Sequence, residues 1–178
     1  MHLPDHLRTA PAYAVEAVVA LGSNVGDSRQ ILSKTVEQFR SHSEVQHVSV
    51  SPLAKTAPVG GPEQPDFLNQ VLVVATTLAP YALLQFAHEL EHQAGRVRDI
   101  RWGPRTLDVD IITYDDVVSD HAELLLPHPR AHQRAFVLAP WSWVDPDARL
   151  DGTPVAELAA RADDATTVER LDAQEETP

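Results

Sequence analysis

The sequence predicts an α+β fold of the ferredoxin-like kind, an antiparallel sheet with helices packed on one face and a C-terminal helical extension. Three observations predict it. Segments of strand and helix type follow one another in the order β-α-β-β-α-β, the split β-α-β arrangement. Clusters of glycine and proline separate them. At 178 residues, 43% of them hydrophobic, the chain suits one domain able to bury a core.

Residues 1–14 have no clear periodicity and include Pro4 and Pro11, so a disordered lead-in is expected. Residues 15–21 are a compact apolar run ended by Gly22, as in a central strand. The turn from Gly22 to Asp27 offers Asp27 or Ser28 as a helix N-cap, and Ile31, Leu32, Val36 and Phe39 then share one helical face. Residues 45–55 read as a second strand, interrupted by Pro52 and at an edge there. Residues 56–66 hold three prolines and two glycines in eleven positions, a loop too long for a simple hairpin turn.

A third strand is expected over 67–78, with Phe67, Asn69, Val71, Val73 and Ala75 on one face. Pro80 opens a helix whose period is Leu83, Leu84, Ala87, Leu90, Glu91 and Ala94, and Gly95 stops it. A loop over 96–105 leads into a strand over 107–112. Tyr114 to Val117 turns into a short strand, and residues 124–129 are an apolar run broken by prolines. A helical stretch follows over 130–141. Thr153 and Pro154 open a last amphipathic helix with Val155, Leu158, Ala159 and Ala162 inward. One domain over 15–162 is therefore expected, with residues 163–178 an acidic, largely disordered tail.

The strand over 107–112 is apolar except for Asp108 and Asp110. Strand side chains alternate faces, so the two carboxylates point the same way, roughly 7 Å apart. Burying them uncompensated costs several kcal/mol. A divalent cation removes that cost, and Mg²⁺ takes one or two carboxylates together with substrate phosphates. Arg96, Arg98, Arg101 and Arg105 lie just before the strand, and guanidinium forks match phosphate oxygens. The plainer reading is an edge strand with a wet face and surface ion pairs. Gly103-Pro104-Arg105 and the clustered arginines favour a site for metal-bound polyphosphate.

Composition narrows the alternatives. With 26 acidic and 14 basic residues the net charge is −12, which argues against a general nucleic-acid binder. An anionic nucleotide would be attracted locally, by arginines and a metal. No cysteine is present, which excludes disulfides and thiolate metal sites. No apolar run approaches a membrane span and no basic-then-apolar leader opens the chain. A cytoplasmic location, no membrane partner, and a monomer or at most a weak dimer are expected.

The stretch Arg101-Trp-Gly-Pro-Arg-Thr-Leu-Asp-Val-Asp-Ile-Ile112 resembles the 6-hydroxymethyl-7,8-dihydropterin pyrophosphokinase family at every constrained position. The resemblance extends over about residues 15–160. It takes in Gly22-Ser23-Asn24, the segment from Thr56 to Asn69, Glu91 with Gly95-Arg96, and Pro127-His128-Pro129-Arg130 with Arg134 and Phe136. It implies transfer of diphosphate from ATP to the pterin alcohol, with release of AMP, as a step of tetrahydrofolate biosynthesis. Asp108 and Asp110 would hold two Mg²⁺ bound with ATP, and Arg96 and Arg105 would neutralise the moving group. ATP would meet Glu91, Arg96, Arg105, Ile111, His128 and Arg134. The pterin would meet Thr56, Val59, Phe67, Asn69, Asp108 and Phe136, under Trp102 as a lid.

Three positions depart from the family's usual pattern. Phe67 stands where tyrosine is common, Ala57 where a second proline is common, and Glu123 where some members carry a basic residue. Two rival functions use the same features. A two-metal phosphodiesterase would need further carboxylates or histidines as ligands, and a nucleic-acid-binding module on this fold would carry basic and aromatic sheet motifs.

Overall fold

A computed structural model of the chain describes residues 2–58, 60–95 and 104–171. Its centre is a six-stranded antiparallel sheet. β1 (Val15–Ser23) lies between β4 (Phe67–Thr76) and β5 (Asp108–Tyr114). β2 (Val45–Val50) and β3 (Leu53–Thr56) both pair with β4, and β10 (Val168–Leu171) adds an outer strand beside β3. Pro52 divides the single strand expected over 45–55 into β2 and β3, since it has no N–H to give to a ladder.

Helices cover both faces. Val19 and Leu21 of β1 pack with Leu32, Val36 and Phe39 of α2 (Ser28–Ser41) and with Leu83, Ala87 and Leu90 of α3 (Pro80–Gln93). On the other face Val18, Val71 and Ile112 meet Val137, Leu138 and Trp141 of α4 (Ala135–Val144) and Val155 of α5 (Val155–Arg161). The expectation of helices on one face is corrected here. The cause is legible in β1, whose unbroken Ala-Val-Val-Ala-Leu leaves neither face polar enough for water.

Local signals set the ends of these helices. The Asp27 carboxylate accepts the Gln30 N–H at 3.2 Å and caps α2. Pro80 opens α3, and Gly95 ends it with φ +75°, a conformation that costs a side-chain-bearing residue more. A 3₁₀ turn over Ala131–Gln133 precedes α4, so the helical stretch expected over 130–141 is in two pieces. Two hairpins complete the chain, β6 (Ser119–His121) with β7 (Leu124–Leu126), and β8 (Arg149–Leu150) with β9 (Thr153–Pro154).

Both terminal segments differ from expectation. The lead-in contains a short helix α1 (Asp5–Arg8), and Leu7 is fully buried in the core beside α3. One apolar anchor on one helical turn is too little for periodicity to reveal. In the C-terminal segment expected to be disordered, β10 is an ordered strand of four residues. Its composition is half charged, and its order comes from pairing with a distant partner.

Candidate active site

The site is built on the α4 face of the sheet, where that helix has not yet begun. Inter-strand register sets two rows across three strands. Asn69 of β4, Gly22 of β1 and Asp108 of β5 form one; Val71, Ala20 and Asp110 form the next. Asp108 and Asp110 therefore share a face, as their spacing predicts, and both line a cleft of about 690 Å³. Thr56, Phe67, Asn69, Arg105, Arg134 and Phe136 line the same cleft.

Gly22 is structurally necessary in this floor. A Cβ there would come within 2.9 Å of Asn69 Oδ1. β1 runs through Gly22 to Ser23, so the glycine interrupts the strand's side chains and not the strand itself. A glycine inside a strand marks a close approach, and that signal could have found it. Asn69 Nδ2 donates to Thr56 Oγ1 at 2.6 Å, which fixes the amide plane beside the cleft.

Asn24 is a second residue that spacing did not single out. Its side chain is buried and makes three hydrogen bonds: Nδ2 donates to Gln64 Oε1 at 3.0 Å and to the Pro65 carbonyl at 2.9 Å, and Oδ1 accepts the Arg105 N–H at 2.8 Å. The Asn24 N–H donates to the Arg105 carbonyl at 3.0 Å. One side chain thus joins the 57–66 loop to the turn that delivers Arg105.

Charge is crowded on this floor. Burial, and then the Asp108 carboxylate, hold the Asp110 carboxyl above its usual range, against the pull of Arg134 and Arg105. Arg105 Nη1 donates to Asp108 Oδ2 at 2.8 Å. Since the Arg105 backbone is tied to Asn24, its guanidinium can change partner without moving the chain. The Arg134 guanidinium lies 5.5 Å from the Phe136 ring centroid, a cation–π contact.

His128 is pushed down to about 4 by burial and then by Arg134, with Asp108 opposing. It is a neutral imidazole at pH near 7. The Arg130 N–H donates to its Nδ1 at 3.2 Å, so the proton sits on Nε2 and makes that atom a donor.

Three residues expected to meet the nucleotide, Glu91, Ile111 and His128, are not among those that line the cleft. Ile111 packs its side chain into the α2–α3 core, because the alternation that aims Asp108 and Asp110 at the cleft aims Ile111 away from it. Glu91 is buried behind β5, where its Oε2 accepts the Val109 N–H at 3.1 Å. The Ile112 carbonyl likewise accepts the His128 N–H at 2.8 Å. These two bonds satisfy backbone groups that β1 leaves unpaired. Val59, Arg96 and Trp102 lie outside the described residues. Glu123 faces Tyr81, whose phenol is raised by their hydrogen bond.

Among the described residues no group of three or more His, Cys, Asp or Glu could hold a metal. The donor set is the aspartate pair, which fits a hard cation completed by phosphates and water. Paired carboxylates facing guanidinium groups are the equipment of an enzyme that handles polyphosphate, and the cleft defines that class. The family comes from comparison with known proteins. Residues 18–146 match the family model described as 7,8-dihydro-6-hydroxymethylpterin-pyrophosphokinase (HPPK). The chain belongs to this family.

Its relatives include the 2-amino-4-hydroxy-6-hydroxymethyldihydropteridine pyrophosphokinase of Pseudomonas aeruginosa, 43% identical over 143 residues, with 80% of this chain and 88% of that one covered. The enzyme of the same name from Bacillus subtilis is 41% identical over 124 residues, covering 70% and 74%. The fold is similar to wild-type Plasmodium falciparum HPPK-DHPS crystallised with pteroate, at TM-score 0.68 and 11% identity. That match covers 90% of this chain and 48% of the other, so the chain spans about half its length. Identity this low speaks to fold alone.

Proposed function

We propose that the chain transfers the diphosphate of ATP to the hydroxymethyl group of 6-hydroxymethyl-7,8-dihydropterin, as a step of tetrahydrofolate biosynthesis. The hydroxymethyl oxygen bonds to the β-phosphorus, the bond from that phosphorus to the α–β bridging oxygen breaks, and AMP leaves. The hydroxyl proton passes to water. The observation that carries the reading is one floor, Asn69–Gly22–Asp108, in a chain whose residues 18–146 match the family.

Asp108 and Asp110 would hold two Mg²⁺ entering with ATP. Held there, such cations would supply neutralisation of phosphate charge, which lowers the barrier to displacement at phosphorus. Arg105 exchanges Asp108 for a phosphate oxygen. Arg134 pairs with the nucleotide, and neutral His128 donates to it from Nε2. Phe67 and Phe136 hold the pterin ring by stacking and apolar contact, while Asn69, steadied by Thr56, reads its polar edge. Glu91 and Ile111 act by holding β5. Val59, Arg96 and Trp102 enter on the resemblance alone, Trp102 as the lid. Positioning and charge stabilisation carry such chemistry.

The strand order supports a ferredoxin-like frame, to which α4, α5 and β10 are additions, within one domain. A monomer in the cytoplasm fits the acidic surface, and among the described residues no helix is long and apolar enough to cross a membrane. Product analysis tests the reading. With ATP, Mg²⁺ and the pterin alcohol, AMP and pterin diphosphate should form in equal amounts. ADP as the product, or AMP released equally well without pterin, overturns it.

A further inference from the structure

Helix α4 begins without a cap of its own. The N-cap position favours Ser, Thr, Asp or Asn, whose short side chains accept the first free N–H groups. Here Arg134 occupies it, with no side-chain cap and with its guanidinium over Phe136. The residue that lines the cleft has displaced the residue that would hold the helix.

The missing acceptor arrives from 29 residues further on. Asp164 Oδ1 accepts the Ala135 N–H at 2.9 Å. That amide belongs to the peptide joining Arg134 to Ala135, the residue between the two cleft side chains, so the bond holds the stretch of backbone from which both project. A carboxylate also suits the positive end of a helix dipole. Asp164 is itself well anchored. Its carbonyl accepts the Thr167 N–H at 3.0 Å and the Thr167 hydroxyl at 2.7 Å, and β10 then pairs with β3. Arg170 of β10 stacks on Trp143 of α4 at 5.1 Å. The segment is a strap from the sheet edge to the start of the helix. It lies beyond residues 18–146, which the family model matches.

We infer that Asp164 is a positioning residue for the cleft: it caps α4 from the C-terminal segment and so sets where Arg134 and Phe136 meet nucleotide and pterin. The inference rests on the roles proposed for those two residues. Loss of the carboxylate leaves the Ala135 N–H unpaired and lets the first turn fray. Val137, Leu138 and Trp141 still pack the rest of the helix, so the damage stays at the cleft.

Three variants of the full chain test this, with Asp164→Leu, close to aspartate in shape and lacking an acceptor, in place of the first should that not fold. Asp164→Ala should raise KM for the pterin by about tenfold with a smaller change in kcat, on the scale of a lost helix cap. Asp164→Asn, which keeps an acceptor oxygen, should stay within about threefold of wild type. Arg170→Ala removes the strap's other tie and should lower Tm while leaving KM unchanged. Amide hydrogen exchange adds a readout independent of turnover: the Ala135 amide should lose protection in Asp164→Ala and keep it in Arg170→Ala. Wild-type KM and Ala135 protection in Asp164→Ala would overturn the inference, as would an equal rise in KM for Arg170→Ala. Absence of pterin-dependent AMP from the wild type would instead sink the proposed function, and the Ala135 amide would still decide the cap.

Discussion

Asp110 bears on the stability of the protein as well as on its chemistry. Its carboxyl is raised from an ordinary 3.8, first by burial and then by Asp108. The folded state therefore binds that proton more tightly than the unfolded chain does. Stability from this group is fully present below the unfolded value and is lost as pH rises through the folded one. Asp110→Asn is neutral throughout, so in metal-free protein it should raise Tm by several degrees at about pH 8 and hardly at all at about pH 4. Thermal scans in a chelator measure this, and an equal gain at both pH values would assign the effect to something other than charge. Saturating Mg²⁺ with an ATP analogue should reverse the order of the two proteins at the higher pH. The aspartate pair was legible because a period of two is a local property of a strand. Asn24 and Asp164 were not, since their decisive bonds span 81 and 29 residues.

At the scale of elements, the two loops beside the cleft share Asn24. Asn24→Ala should free Gln64 and the Arg105 turn together, losing three side-chain hydrogen bonds of about 1 kcal/mol each at most. Limited trypsin digestion followed by peptide mapping should then find faster cleavage after Arg105, with pterin KM raised as well. Unchanged cleavage would mean that the two loops are held independently. Most regular elements could be read from the chain because β1, β4, α2 and α3 are long and strongly apolar on the faces they bury. β10 could not, because Val-Glu-Arg-Leu has strand character only when β3 lies beside it. The second helical layer was hinted at by the continuous apolar run of β1, but a run alone does not say which helices supply the cover.

For the whole molecule, the N-terminal helix offers a test of cooperativity away from the cleft. Leu7 is fully buried against the α3 side of the core. Leu7→Ala should destabilise the protein by about 2–5 kcal/mol while leaving kcat and both KM values at wild-type levels. Denaturant titration checks the first part and steady-state assays the second; a stability within error of wild type would return residues 2–14 to a loosely attached arm. The floor of the cleft has a larger consequence. Neighbouring strands lie about 4.8 Å apart, and Asn69 and Asp108 stand two strands apart in one row. Their backbones are therefore about 10 Å apart, set by strand pairing, and the missing side chain of Gly22 is what lets the Asn69 amide lean over β1 toward Asp108. The sheet fixes the Asn69 amide on one strand and the aspartate pair two strands away. On the roles proposed above, a substrate that meets Asn69 must also bring its reactive arm to the aspartates, and the distance it has to cover is set by strand pairing rather than by any mobile side chain.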